Sequence, residues 1–228
     1  MDMQALWISI KTAATSIFIT FFLGILAAYG IVRAKHEWLK TILDGILTLP
    51  LVLPPTVAGF FLLYTFGVNR PVGKFLLDFL GVKLVFNWGA TVVAAIVISF
   101  PLMYRNARGA FEQVDESFVH AARTIGMSEW QIFWRIILPL ALPGVASGSI
   151  LAFARGLGEF GATAMIAGNI AGKTRTLPLA VYSAVAGGNM AGAYDYVLIL
   201  VGISFLVVLG INWFTGKERR HTGWREKA

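Results

Sequence analysis

The sequence predicts an all-α integral membrane protein with five transmembrane helices, or six. Composition is the first reason: 57% of the 228 residues are apolar and 14% charged, too little polar surface to cover a soluble domain of this size. The second is spacing, because five runs free of charged residues recur, each near the length that crosses about 30 Å of hydrocarbon as a helix. The third is a constraint from lipid itself, where every backbone N–H and C=O has to be satisfied within its own segment, as a helix does. No internal repeat or linker interrupts the pattern, so residues 1–228 read as one transmembrane domain.

The first run, Thr12 to Val32, is longer than the apolar part of a signal peptide and is preceded by only two charges, Asp2 and Lys11, which predicts a retained helix. The second, Gly45 to Asn69, is interrupted by Pro50, Pro54 and Pro55. Prolines there expose backbone groups, which is tolerable against protein or a water-filled cavity, so they mark either a transport path or a packing kink. The third run spans Leu84 to Tyr104, followed by a polar stretch at about 105–138. In the fourth, Ile136 to Ala154, Pro139 and Pro143-Gly144 predict that the helix proper starts near Pro143 and runs to about Gly168. That register places Arg155 and Glu159 near mid-membrane. Asn169 to Asp195 reads as an outer loop with one short helix around Leu177 to Ala186, and Tyr196 to Gly216 is the last span.

With the polar stretch on the cytoplasmic side, the inner segments hold twelve Lys and Arg residues and the outer ones six. This imbalance predicts an outside N-terminus and a cytoplasmic C-terminus. The net charge of +7 is thereby a statement about orientation, and no basic face with interleaved aromatics suggests nucleic acid. The chain has no cysteine, and His36, His120 and His221 lack ligand spacing, so no metal site or cofactor is expected. No nucleophile with a nearby base points to an enzyme.

The polar stretch carries local signals. Asp115 can cap a helix whose Phe118, Ala121, Ala122 and Ile125 form an apolar stripe, with Gly126 as the left-handed residue that ends it. Ser128 starts a second helix with Gln131 in the capping-box position, and Trp130, Phe133, Trp134 and Ile137 are expected on one face, toward the membrane interface. The first helix offers a low surface that another protein can approach closely.

This stretch resembles the cytoplasmic loop of the permease subunits of binding-protein-dependent ABC importers, whose signature is Glu-Ala-Ala, three residues, Gly, nine residues, then Ile-x-Leu-Pro. Ala121, Ala122, Gly126, Ile136, Leu138 and Pro139 stand at the matching places, and His120 replaces the Glu. The segments Leu49 to Pro55, Ala121 to Gly126, Phe153 to Ala162 and Thr174 to Pro178 are similar to the molybdate-type branch of that family. The resemblance implies a type I importer permease fold, a homodimeric path for molybdate or its relatives tungstate and sulfate, and two ATPase subunits at a cytoplasmic coupling helix. It also implies an oxyanion-binding protein outside. Asp115, Phe118, His120, Ala121, Ala122, Arg123, Thr124 and Gly126 would then face the ATPase.

An ionisable residue within a span costs about 3 kcal/mol unless paired or wetted, so Arg155 and Glu159 need an account. Four residues apart on a helix they can neutralise each other, as an internal salt bridge or as a lining of the path together with Pro54, Pro55, Gly158 and Gly161. Gly168 to Thr174 imitates a phosphate loop but is one residue short and lacks a preceding strand. Lys173, Thr174 and Arg175 are instead candidates for an outer contact with an anion or a delivery protein, or plain solvated surface. A rival from another class, an ion-coupled transporter acting alone, would need coupling carboxylates in the spans, and Glu159 is the one candidate.

Overall fold

The computed structural model describes residues 3–222, and side chains through Gly210. The basic residues from Lys217 to Lys227, part of the charge count, lie outside the described side chains. The described chain is helical throughout: α1 (Met3–Val32), α2 (Glu37–Val52), α3 (Pro55–Phe66), α4 (Pro71–Leu80), α5 (Trp88–Glu112), α6 (Glu116–Thr124), α7 (Glu129–Ile132), a π turn (Phe133–Ile137), α8 (Leu138–Leu157), α9 (Gly161–Ile166), α10 (Leu177–Ala186) and α11 (Met190–Thr222). Four continuous helices are long and apolar enough to span, and α2 with α3 would make a fifth.

The centre is α1 against α5, with α8 laid over both. Thr12 bonds Thr91 (2.9 Å) and Thr20 lies by Ser99 (3.4 Å), so α1 and α5 run parallel at a constant offset of 79 residues. Gly24 continues the seam at the same offset, since a Cβ there would sit 2.6 Å from Met103 Cγ. Small residues every fourth position on α1 let the two backbones approach closely, and their hydroxyls satisfy each other where water is absent. The α8 helix is antiparallel to α5, with Gly148 against Asn106 and Gly144 against Ala110. Much of α2, α3 and α11 stays apolar and exposed, as at Ile46, Phe61 and Leu198, a surface suited to lipid or to another copy.

Three expectations are corrected. The second run is two helices bent by 112° at Leu53–Pro54, because two consecutive prolines remove the donors that would continue α2. The fourth span starts at Glu129, well before Pro143, and runs unbroken to Leu157. Leu138 N–H reaches back five residues to Phe133 C=O, and this wide turn precedes Pro139, whose missing N–H then costs no regular bond. The same helix stops at Leu157, short of Gly168: Gly158 to Phe160 form a break and α9 restarts at Gly161. The helix expected around Leu177 to Ala186 is present with those bounds; its first turn is buried against α11 and the start of α1, where Leu177 N–H donates to Ser9 Oγ (2.7 Å), and its second half is partly exposed.

Candidate functional site

Two groups of residues stand out, at opposite ends of the α7–α8 helix. At the first, α6 is a short helix fixed at both ends. Asp115 Oδ1 accepts from Ser117 N–H (2.8 Å), a bond that holds its carboxyl below the ordinary aspartate value. At the other end Met127 N–H reaches Ala122 C=O (3.0 Å) and Gly126 N–H reaches Arg123 C=O (3.0 Å), a Schellman closure that requires the positive φ of Gly126, 83°. Ser128 and Gln131 then form the reciprocal capping box that opens α7.

The stripe expected on α6 does not face inward as a unit. Ala122 is buried and Val119 packs on the core beside it, whereas Phe118, Ala121 and Ile125 are exposed, Ile125 at 78%. An apolar ridge thus points away from the protein, with His120 next to it near Glu116 (3.9 Å) and Thr124 Oγ1 donating to His120 C=O (3.0 Å). The second expected face also divides. Phe133 and Ile137 turn into the core, Phe133 at 4.4 Å from the Tyr29 ring, while Trp130 and Trp134 remain exposed and in edge contact at 5.5 Å. The π turn shifts the angular spacing, so residues predicted to share a face do not.

Sequence reasoning missed how α6 is tethered. The Glu129 carboxylate binds Arg123 from α6 (Nε to Oε1, 2.7 Å) and Arg33 from the residue after α1, which also lies over the Tyr29 ring. It also missed a clamp between α2 and α5, in which Asp44 accepts from Tyr104 Oη (2.8 Å) and pairs with Arg108 (2.6 Å), itself paired with Glu112 (2.7 Å). The i, i+4 spacing of Arg108 and Glu112 was a visible signal; the other partners are remote in sequence.

At the far end of α8, Arg155 Nη1 meets Glu159 Oε2 at 2.9 Å. Glu159 is 1% exposed, and its other oxygen accepts from Ala162 N–H (2.8 Å), so one carboxylate neutralises Arg155 and starts α9. The break around it abuts the break in the second span: a Cβ on Gly161 would lie 3.1 Å from Pro55 Cβ and from Thr56 N. Pro55, Glu159 and Gly161 are brought together, with Arg155 on the adjoining helix end and Pro54 exposed beside them. Gly158 is exposed with no close neighbour outside its own helix, so the close approach falls on Gly156, against Ser16, instead.

The outer-contact set is only partly accessible. Lys173 is exposed and Arg175 partly so, its Nε donating to Asn169 Oδ1 (2.9 Å). Thr174 is fully buried: its hydroxyl accepts from Ile170 N–H (3.0 Å) and donates to Gly168 C=O (3.4 Å), so it closes the turn and is removed from the contact surface.

Apolar spanning helices, two helix breaks meeting within the bundle and an exposed, capped helix at one end define a transport permease. The chain belongs to the family of binding-protein-dependent transport system inner membrane components, whose model matches residues 20–220. It is 40% identical over 223 residues to the molybdenum transport system permease protein ModB of Escherichia coli strain K12, covering 97% of each chain. It is 43% identical over 205 residues to the putative molybdenum transport system permease protein YvgM of Bacillus subtilis, covering 90% of each. Among solved structures, the inward-facing MetNI methionine ABC transporter superposes with a TM-score of 0.72 at 18% identity over 92% of this chain and 93% of that one. A bacterial ABC transporter for the acidic polysaccharide alginate gives 0.73 at 16% over 94% and 79%. The fold is that of type I ABC importer permeases.

Proposed function

We propose that two copies of this chain form the path by which molybdate enters the cell, driven by two ATPase subunits on the α6 side and supplied by an oxyanion-binding protein on the other. The observation that carries the substrate is the full-length similarity to molybdenum transport permeases. A bare oxyanion does not cross hydrocarbon, because desolvating its charge is prohibitive. A path between two copies, opened alternately to each side, avoids that cost.

The geometry supports a division of labour. The outward ridge of Phe118, Ala121 and Ile125, bordered by His120, Arg123 and Thr124 and held by the Asp115 and Gly126 caps, is the surface offered to the ATPase. The Arg155–Glu159 pair and the facing breaks at Pro54–Pro55 and Gly158–Gly161 are the gate. Lys173 and Arg175 belong to the face offered to the binding protein. The N-terminus lies outside and the C-terminus in the cytoplasm, in keeping with the clustering of Arg33, Lys40, Arg108 and Arg123 around one cleft beside α6. Closure of the ATPases on ATP would move α6 and turn the path outward, and hydrolysis would reset it. This chain supplies conduit and lever, and the hydrolysis belongs to its partners.

Against an ion-coupled carrier stands Glu159, whose two oxygens are already committed to Arg155 and Ala162. Proteoliposomes holding the permease, its ATPase and the binding protein are expected to accumulate molybdate only with ATP. Accumulation without the ATPase would overturn the reading. In the same assay Arg155→Ala is expected to lower uptake about tenfold or more with assembly intact.

A further inference from the structure

Between α5 and α8, on the α6 side of the bundle, lies an open cleft of about 460 Å³ whose polar lining comes from Arg105, Asn106, Gln113 and Ser147. Among the described residues no carboxylate lines it. Arg105 is exposed and has no ion pair or hydrogen bond among the described residues. Its neighbour Arg108 is different, being held by both Asp44 and Glu112, which also border Arg105 on the α2 side. Both acids bond Arg108 on the α2 side, and although that trio carries a net charge of about −1 beside Arg105, Arg105 is the one charged side chain in the described lining of the cleft. Asn106 Nδ2 is likewise used, on Leu102 C=O (2.7 Å).

The cleft is aligned with the gate. Leu140, Gly144 and Ser147 line it, and Leu151 and Arg155 follow at helical steps of four residues, so all five lie along one face of α8. Asn106 packs on Gly148 in the antiparallel pair, which places Arg105 near the level of Ser149, about six residues or about 9 Å along the helix from Arg155. Leu140 and Leu151 are exposed, so this face has no cover among the described residues.

We propose that the cleft is an inner anion station: a tetrahedral oxyanion released at the level of Arg155 is received by Arg105, with the amide and hydroxyl groups of Gln113 and Ser147 replacing part of its hydration, before it leaves to the cytoplasm. This rests on the permease reading. A cation that attracts yet is open to water suits an exit site, because binding there is favourable enough to draw the ion past the gate and weak enough to let it go.

The absence of cysteine from this chain makes the test direct, since Ser147→Cys gives it one thiol, whose labelling is read on this chain alone after the subunits are separated. In inside-out vesicles carrying the assembled transporter, that thiol is exposed to an anionic and a cationic methanethiosulfonate of similar size, each normalised to its rate with a free thiol. The anionic reagent is expected to react about tenfold faster, the preference to fall to near one with Arg105→Gln, and to survive Arg105→Lys. Molybdate added as a probe is expected to slow the anionic reaction. An inert thiol, or a preference unchanged by Arg105→Gln, overturns the station. Should Arg105→Gln fail to accumulate, the Ser147→Cys protein alone decides, because the preference must collapse in about 0.5 M salt, where the screening length is only a few ångströms. ATP-driven release of molybdate from wild-type inside-out vesicles loaded with the binding protein and molybdate is measured alongside. Charge preference without ATP-driven release would sink the permease reading and the exit role with it, leaving only an anion-attracting cleft; release without charge preference would sink the cleft alone.

Discussion

Glu159 joins two helices through a single carboxylate, and its neighbours set what each substitution costs. Glu159→Ala leaves Arg155 without its partner and Ala162 N–H without its acceptor, at about 2–3 kcal/mol, below the range for a fully buried pair because the Arg155 side chain is 33% exposed. Glu159→Gln keeps one acceptor, for Ala162 N–H, but loses the charge and sets an NH2 donor toward Arg155, and is expected to cost about 1–2 kcal/mol. Thermal unfolding in detergent should rank them wild type, Gln, Ala. Asp115 shows the same dependence on context at a solvent-facing site. Its carboxyl titrates below the usual 3.8 because of the Ser117 N–H bond, so its contribution to α6 is complete above that pH and is lost as pH falls through the lower folded value. Asp115→Asn, still an acceptor, is expected to preserve α6 at neutral pH and to abolish the acid-side loss, read as amide exchange at Ser117 and Phe118.

Among the elements, α3 is the one whose position depends most on a missing side chain. A Cβ on Gly59 would stand 2.6 Å from Ala162 Cα and 2.9 Å from Ala162 O, both backbone atoms of α9 that have no rotamer to change. Gly59→Ala is expected to cost about 1–3 kcal/mol and to lower the unfolding midpoint by several degrees. Gly30→Ala, where the added carbon meets open space, serves as the control and should leave it unchanged or slightly raised. Elements whose signals are local were legible in the sequence: the spans from their charge-free runs, and α6 and α7 from their caps. Elements set by distant contacts were not. The prolines signalled a break in the second run but not its 112° angle, while the early start of the fourth span and the division of the tryptophans from Phe133 depend on backbone bonding that residue types do not specify. The Glu129 tether was hidden for a simpler reason, since Arg33 lies 96 residues away.

At the scale of the whole molecule, α1, α5 and α8 form a rigid frame, and the elements proposed to work are attached to it by few polar ties. The α2 helix has no buried residue and is held to α5 by the Asp44 clamp, while α6 is held to α1 and to the α7–α8 helix by Glu129. Load applied at α6 therefore has a continuous shaft, Glu129–Leu157, leading to Arg155. The π turn within that shaft, Phe133–Ile137, accommodates one residue more than an α turn would. Removing a single residue from it is expected to yield a regular helix in which Arg155 keeps its azimuth, and such a deletion should retain uptake. The same deletion four residues further on, inside α8, would rotate Arg155 by about 100° and silence transport. The π turn is thus a spare link, the one stretch of the shaft where length can be lost without changing where its far end points.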